Sequence, residues 1–148
     1  MKKLLIVAIG LLISYSSFAQ PKKSDVNVKD DQLIKKRIEE LFKLAKKGDN
    51  KKAAEYIAYK GSDKSRKLKD MINYSDTLEQ RQANEICGAI KTLLDSTKKY
   101  SFNQFFMQRQ KDVQWYYWMM TFQQKTTVDS ATVGFIKVHD KYVLGAIN

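Results

Sequence analysis

The sequence predicts an α+β domain with three N-terminal helices packed on a four-stranded antiparallel sheet built from the C-terminal half. Three observations predict it. Apolar residues recur with helical spacing between residues 30 and 96. Beyond Tyr100 the composition turns to aromatic and β-branched residues, with nine of the seventeen aromatic side chains between Tyr100 and Phe122. The apolar runs there are separated by short polar turns, which suit hairpins and leave no room for crossover helices.

In the first helix Ile34, Ile38, Leu41 and Ala45 fall at i, i+4, i+7 and i+11, and Leu33, Phe42 and Leu44 widen the stripe. Asp30 or Asp31 can cap its start and Gly48 can close its end. A shorter second helix begins near Asp49 or Asn50, presents Ala53, Ala54, Ile57 and Ala58, and stops before Gly61. Residues 61–74 form a basic connection with no sustained period. The third helix starts after Ser75 or Asp76 and runs to about Ser96, with Ala83, Ile86, Cys87, Ile90, Leu93 and Leu94 on its stripe.

Strands are expected at about 100–109, 113–124, 130–138 and 141–147. In the second, Val113, Trp115, Tyr117 and Met119 point one way and Gln114, Tyr116, Trp118, Met120 and Phe122 the other. In the third, Thr132, Gly134, Ile136 and Val138 oppose Val133, Phe135 and Lys137. Neither face of this hairpin reads as polar. The helices can cover one; the other calls for a second subunit, a ligand or the curl of the sheet.

The first nineteen residues read as a secretory signal peptide: Lys2-Lys3, an apolar stretch from Leu4 to Ile13, and small residues at Ser17 and Ala19 before Gln20. Ten apolar residues span roughly 15 Å as helix against the ~30 Å of a hydrocarbon core, so no transmembrane span is expected after cleavage. No cysteine follows the stretch to carry a lipid anchor. Residues 20–29, which carry the only proline, read as a flexible leader, and 30–148 as a single domain. The expected location is periplasmic or secreted.

The chain has 148 residues, 43% of them apolar and 11% aromatic, enough to collapse around a core. One cysteine excludes a disulfide framework, and with one histidine it excludes an ordinary structural zinc site. The formal net charge is +11, with the excess concentrated in residues 22–70, where 16 basic side chains face 9 acidic ones. Such a bias usually points to nucleic acid. Export removes that partner and leaves anionic envelope components.

The helix pair with its Gly48-Asp49 corner, followed by long strands from Tyr100, resembles the nuclear transport factor 2-like (cystatin-like, cone-shaped) superfamily. The segment Tyr59-Lys60-Gly61-Ser62-Asp63-Lys64-Ser65-Arg66-Lys67 and the ending Val138-His139-Asp140-Lys141-Tyr142-Val143-Leu144-Gly145 are similar to small exported bacterial proteins of unknown function with this architecture. The resemblance implies a strongly curved sheet enclosing a pocket, used by some members for catalysis and by many for binding alone. Fold does not choose between these uses.

Catalytic chemistry is sparse. Cys87 lies on an apolar helix stripe with no histidine nearby in sequence to activate it. His139 sits in a turn beside Asp140, where neighbours on a strand face opposite ways. No nucleophile elbow, Gly-rich phosphate loop or HExxH pair occurs, and no cofactor is implied. The candidate ligand-binding residues are therefore aromatic and basic. Trp115, Tyr117 and Trp118 supply rings to both sheet faces, with Phe106 and Phe135 on the flanking strands. Lys64 and Arg66 offer an anion-contacting lip, Arg66 through its planar fork.

These readings lead to an exported binding module, more a binder than an enzyme, that holds a small or anionic ligand, or a partner, on an aromatic-lined sheet pocket or face. Its expected shape is a cone: three helices on a curved four-stranded antiparallel sheet. One alternative is a small pocket enzyme of isomerase or hydrolase type, with Asp112 or Asp129 as the carboxylate. Another is a homodimeric structural module joined through its sheets.

Overall fold

A computed structural model describes residues 28–148. The expected signal peptide and the leader up to residue 27 lie outside the described residues. The helices come first and the sheet last, in the α+β order that the periodicity predicts.

Helix α1 (Val28–Lys47) begins two residues inside the expected leader, so Asp30 and Asp31 occupy its first turn instead of capping it. There they complement the positive end of the helix dipole, as Lys46 and Lys47 complement the negative end. Ile34, Ile38, Leu41, Phe42 and Ala45 are buried, the stripe that the spacing requires. Gly48, with φ 75°, closes the helix: its N–H donates to the Ala45 carbonyl and that of Asp49 to the Leu44 carbonyl.

The second helix is shorter than its apolar pattern suggests. Helix α2 (Asn50–Ala53), capped by Asp49, passes into a single 3₁₀ turn at Ala54–Tyr56. Ile57 is then extended, at φ −121° and ψ 129°. Ile57 pairs in parallel with Leu144, and the Ala58 N–H donates to the Leu144 carbonyl at 2.8 Å. Strand pairing with a residue 87 positions away overrides the local apolar pattern, in keeping with the β-branched side chain of Ile57.

Helix α3 (Thr77–Ser96) matches its expected bounds. Asp76 caps it by accepting from the Leu78 and Glu79 amides, and Ala83, Cys87, Ile90 and Leu94 are buried.

Strands β1 (Lys99–Gln110), β2 (Val113–Gln123), β3 (Val128–Val138) and β4 (Lys141–Ile147) form an antiparallel meander in the order β1-β2-β3-β4. The register breaks twice, leaving Asn103 of β1 and Gly145 of β4 without a direct partner across the ladder.

The two faces of the sheet belong to two clusters. Trp118, Met120, Phe122, Val133, Phe135 and Leu144 meet the helices in the main core. Trp115, Tyr117, Ile136, Val138 and Val143 form a smaller one with Ala58. Leu68 and Met71, from the basic connection, pack against this second cluster. The chain itself thus contributes cover for the second apolar face, which the sequence reading assigned to a subunit, a ligand or sheet curl. Toward the other end of that face the side chains turn polar: Ser101, Asn103 and Thr121 hydrogen-bond across β1 and β2 at 2.8–2.9 Å. Ser101 and Asn103 belong to β1, outside the central hairpin to which the expectation of two apolar faces applied.

Candidate functional site

The basic connection owes its shape to Arg66. Its Nε donates to Asp70 Oδ2 at 2.7 Å, and Nη1 and Nη2 donate to the two oxygens of Glu79 at 2.6 and 3.1 Å. Nη2 also donates to the Met71 carbonyl, and the guanidinium lies 4.2 Å from the centroid of the Tyr59 ring. Four of the five donors of the fork are engaged, and its faces are stacked on one side. Charge-assisted bonds to Glu79 and Asp70 hold the guanidinium above its ordinary basicity, and the Arg66 bond holds the Asp70 carboxyl below its usual range.

This arrangement corrects the reading of Arg66 as an anion-contacting lip. Its fork is filled by the protein's own carboxylates. Glu79, from the first turn of α3, is the buried acid at the centre, and it also accepts the Asn73 amide at 2.6 Å. Lys64 is exposed and stands apart from that contact set. Asp63 turns the chain by accepting from the Ser65 amide and hydroxyl, which holds its own carboxyl low. A Cβ at Gly61 would meet the Tyr59 hydroxyl at 2.4 Å, so this glycine lets the ring lie under Arg66. The Tyr59-to-Lys67 segment reads physically as a fold-specific lock.

The aromatic candidates are also committed to packing. Trp115 and Tyr117 lie parallel, 8° apart with centroids at 5.7 Å, and Phe106 stacks on Tyr117 at 5.0 Å. The two rings lie flat on the sheet because of Gly145 and Gly134. A Cβ at these positions would meet Trp115 at 2.5 Å and Tyr117 at 2.6 Å. Trp118 is in the main core with its Nε1 donating to the Asp31 carbonyl, and Phe135 is fully buried. An aromatic-lined sheet pocket is therefore not formed by these residues: Trp118 and Phe135 lie on one face, Trp115, Tyr117 and Phe106 on the other.

Groups proposed for catalysis are dispersed. Asp112 and Asp129 are both exposed in or beside sheet turns, so neither supplies the enclosed carboxylate of an enzyme pocket. His139 is exposed with its Nε2 3.8 Å from Asp70. Cys87 is buried, and desolvation pushes its thiol up to about 11. Among the described residues no three His, Cys, Asp or Glu side chains gather as metal ligands, and no helix is long and apolar enough to cross a membrane.

The open concave surface lies elsewhere. Helix α3 and the end of β4 leave a cleft of about 400 Å³ between them, lined by Ile57, Ile86, Ile90, Leu93, Leu144 and Ile147 among others, with Lys60 as its one ionisable lining residue. Sequence reasoning placed Ile86, Ile90 and Leu93 on the apolar stripe but named none of them as a candidate ligand contact. The signal it contained was the width of the stripe: Ile90 is buried while Ile86 and Leu93 stay half-buried.

Comparison with protein-family models, with curated proteins and with solved structures finds no match for this chain.

Proposed function

We propose that this chain is an exported, non-catalytic binding module of the nuclear transport factor 2-like type, taking a small amphipathic molecule in the cleft between α3 and β4. The observation that carries the reading is the cleft itself. Its volume, about 400 Å³, is within the range of small-molecule sites, its walls are apolar, and Lys60 is positioned to meet an acidic group. A single lysine with no acid or base beside it in the lining supplies binding and orientation without a general acid–base pair. The helix-then-sheet order and the bulges at Asn103 and Gly145, of the kind that bend strands, support the cone-shaped reading. The N-terminal Lys2-Lys3, apolar stretch and Ala19 support export.

The test uses 1-anilinonaphthalene-8-sulfonate, an apolar ring system with one negative charge. The native protein should enhance its fluorescence saturably. Ala89→Trp fills the cleft from an exposed position on α3 and should abolish the signal while leaving the melting temperature in place. Lys60→Met should weaken this anionic probe about tenfold and leave a neutral apolar probe unchanged. Saturable binding that survives Ala89→Trp counts against the cleft. Export is tested separately, by N-terminal sequencing of the released protein. The chain should begin at Gln20 or within two residues of it, and recovery of intact Met1 in washed membranes counts against the reading.

A further inference from the structure

A second cleft, of about 460 Å³, opens where the C-terminal half of α1 meets the end of α3 and the start of β1. Its lining includes four lysines, Lys43 and Lys46 from α1 and Lys98 and Lys99 from the chain entering β1. Phe42, Leu94 and Tyr100 add apolar surface, with the Phe42 and Tyr100 rings edge to face at 5.6 Å. Glu39 is the single acid in the lining. Burial and the nearby Glu39 carboxylate push the Tyr100 phenol up, so the ring is a neutral surface in the physiological range.

The helix dipole accounts for part of this charge. Lys46 follows the general preference for cations in a last turn. The preference does not account for Lys43, Lys98 and Lys99, which lie outside that last turn and yet surround the same concavity. Among the described residues none of the four is in an ion pair, whereas Lys52, Lys91 and Lys137 each have an acidic partner. Lys43 and Lys46 stand one turn apart on α1, and Lys98 and Lys99 come from a separate element. A field focused in this way from two sides favours a compact ligand with several negative charges over a single carboxylate.

We infer that this cleft is a binding site for a small polyanion, a ligand with two or more phosphate or carboxylate groups on a scaffold that can lie against the half-buried Tyr100 ring. The site is separate from the α3–β4 cleft. Leu94 lines the basic cleft and its neighbour Leu93 the apolar one, so the two open on different sides of α3. Concavity argues for a free multivalent anion over a bilayer, which offers its head groups as a plane.

Calorimetric titration with inorganic tripolyphosphate tests the assignment, with orthophosphate and phosphatidylglycerol vesicles as the other arms. Tripolyphosphate should bind saturably, more tightly than orthophosphate by tenfold or more, and more weakly as salt is raised. The variant K43Q/K46Q/K98Q/K99Q should lose at least tenfold in affinity. K51Q/K64Q/K67Q/K69Q removes the same charge elsewhere and should bind as the parent protein does. In the parent protein tripolyphosphate should also protect Lys43, Lys46, Lys98 and Lys99 from acetylation, a readout that needs no variant to fold. Equal losses in the two quadruple variants, no selective protection, or vesicle binding without tripolyphosphate binding would each overturn the inference. None of these measurements involves Lys60 or Ala89, so the proposed apolar site stands or falls on its own test.

Discussion

Asp70 and Cys87 make opposite demands on pH. Arg66 holds the Asp70 carboxyl below its ordinary range, so the bond stabilises the fold fully at pH values above the unfolded carboxylate pKa of about 4. That contribution is lost as pH falls through the lower folded value. Chemical denaturation across acid pH should therefore show stability declining below about pH 4. Asp70→Asn should cost about 0.5–1 kcal/mol at neutral pH, a modest figure because the pair is partly exposed, and should flatten the acid limb. At Cys87 burial raises the thiol to about 11, so its contribution is complete below the unfolded value of about 8.5 and is lost as pH rises toward the folded one. A thiol reagent should label the native protein slowly and the denatured protein quickly. Cys87→Ser should cost about 1–3 kcal/mol, since a buried hydroxyl loses water without an assured partner. Rapid native labelling would remove Cys87 from the core.

At the scale of elements, the turn between β3 and β4 carries a measurable strain. His139 and Asp140 both have positive φ, 45° and 62°, the pattern of a two-residue turn that favours Asn-Gly. The double variant His139→Asn, Asp140→Gly should gain about 1 kcal/mol in denaturant titration; a loss would show that the contact of His139 with Asp70 outweighs the backbone term. This turn was legible in the sequence as a short polar break between two apolar runs, and so were α1, α3 and the four strands. The buried residues of the helices follow the period 3.6, whereas β3 and β4 are buried on both faces, as their unbroken apolar runs require. The end of α2 was not legible, because Ile57 leaves the helix for a partner at Leu144 that no local window contains. The same holds for Arg66. Its residue type suggested an anion, and the anion is Glu79, thirteen positions away on α3. Both clefts escaped the sequence too, since each is lined by elements distant in the chain.

Across the whole molecule the two cores are unequal, and the difference should appear in how the protein opens. The main cluster contains twenty buried residues drawn from the helices, the sheet and, at Ile57 and Ile72, the chain between them; the second contains only six. Cover for the second comes from a connection with little regular structure, held by a few backbone bonds such as Leu68 to Tyr59 and Ile72 to Ile57, and by the Arg66–Glu79 pair. Local stability follows buried apolar contact, so this unit should open before the rest. Native-state hydrogen exchange should show the Tyr59 and Leu68 amides opening at lower free energy than those of β2 and β3. Arg66→Gln should widen that gap, accelerating the connection while leaving Phe122 and Phe135 protected. The tryptophans report on the two units separately. Trp118→Ala, in the main core, should cost about 3–5 kcal/mol and shift global unfolding. Trp115→Ala should act first on the small cluster, exposing Leu68 and Met71 and raising exchange of the connection more than that of α1 or α3. If all these amides exchange at one global rate, and Arg66→Gln changes them equally, the molecule opens as one unit and the second core is merely an extension of the first.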